Sequence, residues 1–535
     1  MNNTNSFRKQ NNQTPGSPSA NPQIPLRTWI GVLASMLGAF MAVLDIQITN
    51  ASLQEIQASL GATLEEGSWI STAYLVAEIV VIPLTGWLSR VFSLRRYLLV
   101  NTTLFIFFSI CCAWAWNLNS MIVFRALQGF TGGVLIPIAM TVVLTYLPPS
   151  KQAIGLAAFG LTAVFAPSIG PTLGGWLTEN YSWEYSFYIN IIPGILMLAG
   201  VWYGIRQDRP QLQLLRQGDW LGIISMALGL GSLQVVLEEG SRKDWFGSVL
   251  IVRLSIIAAL FLVLFFWIEL TRKQPFINLR LVRYRNFGLA SIVNVALGVG
   301  LYGSIYILPL YLAQIQGYNA LQIGEVLIWA GIPQLFIIPF IPKLMQRIDV
   351  RFMVAIGVAL FAVSVFMNSR MTYQTGLDQL RWSQLVRAMG QPLIMVPLSA
   401  IATAGLSPKD AGSASGLFNM MRNLGGSIGI AALATLLTNR EQFHSNRLGD
   451  AISLYNPATQ ERINQLAQYF ANRGGVDLST AQNQAIATID KIVRREAFVM
   501  AFNDCFYFIG IALLLSGIAI IFFKKVKPTG SAVAH

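Results

Sequence analysis

The sequence predicts an all-α polytopic membrane protein with 14 transmembrane helices, arranged as two six-helix halves with an inserted two-helix hairpin. Three observations carry this. Of 535 residues, 54% are hydrophobic and only 11% are charged, whereas a soluble chain has about 25% charged residues. Such a chain cannot cover its surface with polar groups in water. A soluble enzyme is excluded, as are disordered, collagen-like and disulfide-scaffold classes. The apolar residues gather into fourteen runs, and about 20 helical residues suffice to cross a bilayer. Finally, Lys and Arg alternate in density between the runs. The segments on the side of the two termini hold 22 of them, and the short loops on the other side hold four. By the positive-inside rule both termini are cytoplasmic.

Taken in order, residues 1–27 form a cytoplasmic tail rich in Asn, Gln, Pro and Ser, expected to be disordered. The first apolar run is too long for a signal-peptide core and lacks a convincing cleavage site. The N-terminal half, residues 28–205, holds spans at roughly 28–53, 68–89, 97–116, 118–147, 153–177 and 185–205. Residues 206–286 hold the inserted hairpin, with spans at 219–238 and 248–269. The C-terminal half, residues 287–523, holds spans at 287–312, 320–342, 352–369, 382–404, 414–438 and 497–523. Residues 524–535 form a second cytoplasmic tail. Span four carries Arg125-Ala126-Leu127 and then Pro137, and span twelve carries Arg387-Ala388-Met389 and then Pro397. These fall at equivalent places if the halves arose by duplication.

The polar stretch 439–496 is expected to be a long extracytoplasmic loop. Two amphipathic pieces lie in it, Ile463/Leu466/Phe470 and Ile486/Ile489/Val493, separated by Gly474-Gly475. Their apolar faces would cap the bundle or dock a partner.

Ionisable groups inside spans are costly, about 2.5–3.5 kcal/mol at the centre on insertion scales, so they mark candidate functional sites. Asp45 and Arg125 lie roughly 12 and 10 Å below the outer ends of spans one and four, at 1.5 Å per residue. Opposite charges at matching depth are expected to pair, either as a structural ion pair or as part of a coupling site. Glu78 lies near the midplane, where a carboxyl group can serve as a reversible proton carrier or stay protonated as a structural group. Glu325 and Arg387 lie at similar shallow depth and could also pair. Asp504 is a deeper acid in the last span. Arg422, flanked by Asn419 and Asn423, is either a structural polar knot or an anion contact. Glu238 and Glu239 are expected at the interface.

The net charge of +13 does not signal nucleic acid, because the basic residues sit in short runs between spans. Cys111, Cys112 and Cys505 lie in apolar segments, so no structural disulfide is expected. His444 and His535 lie outside the spans, so neither a histidine metal site nor a buried histidine relay is expected in the membrane.

Four local patterns are more specific. Span five contains Pro167, Gly170, Pro171, Gly174 and Gly175, residues that break helical hydrogen bonds and admit a close neighbour. Gly170, Pro171, Gly174 and Gly175 match the motif G-P-x-x-G-G. Span four, with Arg125, Gln128, Gly129 and Gly133, matches an R-x-x-x-G segment. Span one matches L-D-x-T-I-V-N-V-A-L-P at Leu44, Asp45, Ile48, Asn50 and Leu53. The loop after span two resembles G-x-L-x-D-R-x-G-R-R, keeping Gly86, Leu88, Arg95 and Arg96. There Arg90 stands in place of Asp, and Ser93 in place of Gly.

With these motifs in order on their spans, nearly the whole chain resembles the fourteen-span drug:proton antiporter branch of the major facilitator superfamily, the EmrB/QacA-like proteins. The resemblance implies a major-facilitator fold in the bacterial inner membrane. It implies export of an amphipathic small molecule, as in multidrug efflux and antibiotic resistance, driven by a proton gradient without a cofactor. Proton coupling would then fall to Asp45, Glu78, Arg125 and Asp504. Asn50, Gln128, Glu325, Arg387, Asn419 and Arg422 would be polar groups of the cavity. EmrB-like pumps also work with a periplasmic adaptor and an outer-membrane channel. The substitution at Arg90 places the usual charge latch of the cytoplasmic loop in doubt. The alternatives are export of one metabolite, such as a siderophore or glycolipid, and, more remotely, a membrane enzyme or sensor. The latter needs a clustered nucleophile, metal ligands or a soluble output domain, and the sequence displays none.

Overall fold

The computed structural model describes residues 24–525, apart from 217, 273–274, 407–409, 453–454 and 475–476. Most of both expected tails, with Lys527, His535 and Gly475, therefore lies outside the described residues. The described chain is helical, and fourteen helices are long and apolar enough to cross a membrane. They are α1 (Leu26–Ala51), α2 (Glu65–Phe92), α3 (Leu94–Ala113), α4 (Leu118–Tyr146), α5 (Pro149–Asn180), α6 (Tyr185–Gly204), α7 (Trp220–Glu239), α8 (Val249–Thr271), α9 (Arg285–Gln314), α10 (Leu321–Arg347), α11 (Val350–Asn368), α12 (Leu377–Thr403), α13 (Ala411–Ala451) and, after one further helix α14 (Pro457–Gly474), α15 (Leu478–Ile521).

Several starts are written locally. Asn117 caps α4 and Asn319 begins the α10 segment, each through a reciprocal capping box with the residue three places on. Asp219 and Asp477 cap α7 and α15 by accepting from backbone N–H groups. Within α4 the helix is interrupted at Gly133-Val134, just before Pro137.

In the N-terminal half α1 packs on α5, α6 and the second part of α4, and α2 packs on α4. In the C-terminal half α9 packs on α13 and α15, and α11 on α12 and α15. The halves meet where α5 lies along α10 and α12, and where α13 lies along α2 and α4. In the hairpin, α7 lies against α2 and α13 while α8 packs chiefly on α7. Only 17% of the most apolar window of α8 is buried, so its surface faces lipid.

Fourteen crossings bring the start of α1 and the end of α15 to one face, called here the terminal face. There α2 and α13 touch backbone to backbone. A Cβ on Gly86 would sit 2.6 Å from the Gly412 carbonyl carbon, and Ser415 Oγ donates to Pro137 O at 2.6 Å.

Residues 439–496 differ from the expected loop. The helix α13 continues to Ala451, α14 follows, and α15 starts at Leu478, well before its apolar part. At 44 residues α15 is about 66 Å long, roughly twice the ~30 Å hydrocarbon core. The three helices make a stalk on the face opposite the termini. Its core is Ala467, Ala481 and Ala485, with Ile463, Leu466 and Phe470 against them. The first predicted stripe is thus correct. The second is displaced, because small alanines let the helices approach while Ile486 stays exposed. The helix α14 lies on α15 rather than as a lid over the bundle.

Candidate functional site

Two buried polar centres lie in the bundle. The first lies wholly within the N-terminal half. Arg125 Nη1 on α4 donates to Asp45 Oδ2 on α1 at 2.7 Å, with both side chains essentially inaccessible. The other carboxylate oxygen accepts from Gln128 Nε2 at 2.9 Å and from Asn190 Nδ2 at 2.7 Å. Arg125 also donates to Gln128 Oε1 at 2.7 Å, and its guanidinium lies 4.3 Å from the Tyr74 ring centroid. Each charge is therefore matched and each oxygen satisfied, which a buried pair needs to offset its desolvation. The pairing expected from matched depth is present.

The glycines of the R-x-x-x-G segment explain how α2 reaches this centre. Gly129 abuts the Tyr74 backbone, and a Cβ on Gly133 would meet Glu78 Cγ at 2.8 Å. Any larger residue would push α2, and Glu78 with it, away from α4.

The second centre lies between the halves. Glu78 on α2 is 3% exposed, and its Oε1 accepts from Asn423 Nδ2 on α13 at 3.2 Å. The neighbouring Arg422 is buried and donates to Asn419 Oδ1 at 3.0 Å, while its Nε has no partner among the described residues. Asn419 in turn donates to Ser415 O at 2.9 Å. A carboxyl group, two amides and a guanidinium thus converge where the two halves must separate if the protein rocks.

The remaining predicted residues fall elsewhere. Glu325 and Arg387 do not pair. Glu325 is exposed, whereas Arg387 is buried, with its Nε 2.8 Å from the Gln391 amide oxygen in the orientation that satisfies both groups. Asn50 is exposed and accepts from Ser71 Oγ at 2.7 Å. Asp504 receives Arg440 Nε at 2.5 Å and lies 2.8 Å from His444 Nε2, clamping α13 to α15 at the base of the stalk. His444, beyond the apolar run of its helix as expected, is a buried partner of Asp504, because α13 continues alongside α15 into the stalk. Glu239 is buried rather than interfacial, and accepts from Ser68 and Thr72 at 2.9 and 2.8 Å.

The motif glycines of α5 serve their own half. A Cβ on Gly174 would sit 2.9 Å from Ile48 O and 3.0 Å from Ala51 Cβ of α1. Gly170 faces Gln47 of the same helix, Gly175 is buried nearby, and Pro167 and Pro171 lie inside an unbroken α5. Where α5 meets α10 of the other half, the close approach is at glycines of α10, Gly324 against Thr172 and Gly331 against Ser168.

The expected loop after α2 is only Ser93: Gly86, Leu88 and Arg90 fall in the last turns of α2 and Arg95 and Arg96 in the first turn of α3. Leu88 is half-buried, the Arg95 guanidinium lies 4.6 Å from the Trp202 ring centroid, and Arg96 lies 2.7 Å from the Gln207 amide oxygen in its satisfied orientation. Arg90 makes no ion pair among the described residues. The terminal face is closed there by the Gly86–Gly412 contact.

Asn190, Tyr74 and Arg440 are partners that sequence reasoning left out, and Asn423 and His444 were noticed there without their acids. Asn190 and His444 sit at span edges, where a polar residue reads as interfacial. No group of three or more His, Cys, Asp or Glu residues that could hold a metal occurs among the described residues.

Comparisons with known proteins agree with this architecture. The family described as the Major Facilitator Superfamily matches residues 35–430. The colistin resistance protein EmrB of Acinetobacter baumannii is 34% identical over 506 residues, covering 94% of this chain and 98% of that protein. The multidrug export protein EmrB of Escherichia coli K12 is 32% identical over 506 residues, covering 94% and 96%. The fatty acid resistance protein FarB of Neisseria gonorrhoeae is 31% identical over 479 residues, covering 89% and 92%. Among solved structures, the proton:xylose symporter XylE superposes with a TM-score of 0.60 at 12% identity, over 94% of this chain and 97% of that one. The human organic anion transporter MFSD10 gives 0.55 at 14% identity, over 92% and 100%. These two share the fold. With fourteen membrane helices and relatives of this kind, the protein is a multi-pass protein of the bacterial inner membrane. The chain belongs to the major facilitator superfamily and, within it, to the EmrB-like branch.

Proposed function

We propose that the protein exports drugs and other amphipathic small molecules by alternating access, driven by proton entry, with the terminal face in the cytoplasm. The observation that carries the mechanism is the Glu78–Asn423 hydrogen bond, a buried carboxyl group of one half held by the other. A proton on Glu78 changes the charge at the surface along which the halves part, so protonation and rocking are linked. Asp45 and Arg125 cannot act in that way directly, since all their partners lie in one half. They hold α1, α4 and α6 together beside Glu78 and set the local charge. The kinship with proteins named for export of, or resistance to, colistin, several drugs and fatty acids supports an amphipathic substrate class.

In this reading the energy source is the proton gradient, and the stalk of α13, α14 and α15 is the part that reaches toward a periplasmic adaptor and outer-membrane channel. The test is transport in everted vesicles. Substrate uptake should collapse with a protonophore and survive depletion of ATP. Uptake that persists without a proton gradient overturns the mechanism.

A further inference from the structure

Beside the terminal end of α2 lies a cavity of about 630 Å³ that the transport reading does not use. It is bounded by both ends of the inserted hairpin, by the segment leading into α9 and by the start of α13. Three arginines line it, Arg90 from the N-terminal half and Arg280 and Arg283 from the segment before α9. Arg90 and Arg283 make no hydrogen bond or ion pair among the described residues. Arg280 spends one nitrogen on the backbone oxygens of Leu270 and Arg272, at 3.4 and 3.2 Å.

Two carboxylates also line the cavity. Asp219 Oδ1 is held by Arg272 at 2.5 Å and caps α7, while its Oδ2 is buried without a hydrogen-bond partner among the described residues; Asp410 accepts from Asn278 at 3.4 Å. The cavity therefore carries a surplus of guanidinium groups with donors to spare, and guanidinium forks match phosphate oxygens in geometry and charge. Its rim bears Tyr284, 61% exposed, and Trp220, which packs edge-on against the lining Trp87. Aromatic residues of this kind settle at the level of lipid headgroups, and basic pockets between membrane helices take anionic headgroups.

We infer that this cavity is a binding site for a phosphate-bearing anion, the headgroup of an anionic phospholipid or free phosphate. A bound phosphate would tie Arg90 of one half to Arg280 and Arg283 at the threshold of the other. Those residues approach one another while Gly86 and Gly412 are in contact, so an occupied site favours the state closed at the terminal face. The replacement of the motif Asp by Arg90 then has a physical consequence. A carboxylate there would repel the ligand that the arginine attracts.

The test is thermal stability of the purified full chain in a neutral detergent, titrated with phosphatidylglycerol, with phosphatidylcholine, and with sodium phosphate against sodium chloride at equal ionic strength. The wild type should show a saturable rise with phosphatidylglycerol and none with phosphatidylcholine. R90Q/R283Q should weaken the apparent affinity about tenfold or more, at about 1 kcal/mol per basic residue. R90K/R283K, which keeps the charges but not the forks, should bind more weakly than wild type and more tightly than R90Q/R283Q. The control K343Q/R347Q removes two basic residues of the same face outside the cavity and should leave the titration unchanged. If sodium phosphate alone gives the arginine-dependent rise, the occupant is the free anion and the site stands. Should R90Q/R283Q fold poorly, R283Q alone carries the comparison, since that side chain is exposed and unpaired. The inference is overturned if neither probe gives a saturable, arginine-dependent rise. Equal loss in the control pair overturns it too, since that is diffuse surface charge. No transport is measured, so the outcome is independent of the export reading.

Discussion

Glu78 on α2 and Asn423 on α13 are joined by a hydrogen bond of 3.2 Å across the boundary between the two halves. Every partner of Asp45, by contrast, lies within the N-terminal half. The two membrane acids therefore differ in kind. One reports on the contact between halves, and the other holds a single half together.

Glu78→Gln should abolish proton coupling while leaving the protein folded. Gln keeps the size of the side chain and an oxygen for Asn423 but cannot exchange a proton. A buried carboxylate is costly when ionised, so removing the charge should leave stability unchanged or slightly higher. Substrate-induced proton release in detergent is the measurement. Release equal to wild type would overturn the coupling role of Glu78.

Asp45→Asn should act chiefly on stability. It leaves the Arg125 guanidinium buried without a counter-charge, a change that costs about 3–5 kcal/mol when one partner of a buried pair is removed. The expected outcome is a lower melting temperature and lower expression than for Glu78→Gln. A melting temperature equal to that of Glu78→Gln would show that Gln128 and Asn190 suffice to hold the site.

The contrast between these acids shows what the sequence could and could not reveal. Depth along a span follows from counting residues, and it correctly matched Asp45 with Arg125. Depth alone says nothing of rotation about the helix axis. Glu325 and Arg387 have similar depth, yet one side chain is exposed and the other buried. Rotation is set by packing between distant helices, which no local pattern records. The fourteen spans were legible because lipid demands long apolar runs. The stalk was legible only in part: the stripe Ile463/Leu466/Phe470 of α14 was, but the α15 side of the contact is made by Ala481 and Ala485, which leave a weak stripe, and the first turns of α15 need no apolar run to be helical. Arg125 and Arg387, the positions matched between the halves in the sequence, have similar settings. Each is buried, each faces an aromatic ring, and each has a glutamine within a turn on its own helix.

Gly174→Leu should impair transport without preventing membrane insertion. Its Cβ alone would lie 2.9 Å from Ile48 O and 3.0 Å from Ala51 Cβ, so α5 would be forced off α1. Because α5 also lies along α10, the displacement reaches the boundary between halves. The check is substrate uptake by purified, reconstituted protein, normalised to the amount inserted. Uptake at the wild-type rate would mean that α1 and α5 tolerate separation.

Ser93→Gly should raise the melting temperature. Ser93 joins α2 to α3 with φ +72° and ψ 135°, a region that glycine occupies freely and that costs other residues about 1–3 kcal/mol. Glycine loses more backbone entropy on folding, about 0.5–1 kcal/mol, which offsets part of the gain. Ser93 is also buried, and its hydroxyl has no partner among the described residues, so removing it adds to the benefit. The net expectation is a stabilisation of about 1 kcal/mol or somewhat more. Ser93→Ala separates the two contributions, since alanine removes the hydroxyl but keeps the Cβ that makes the conformation costly. Thermal unfolding of the three proteins in one detergent is the measurement. The expected order is Ser93→Gly above Ser93→Ala, with the wild type lowest. If alanine stabilises as much as glycine, the backbone carries no strain there and the unpaired hydroxyl accounts for the whole effect.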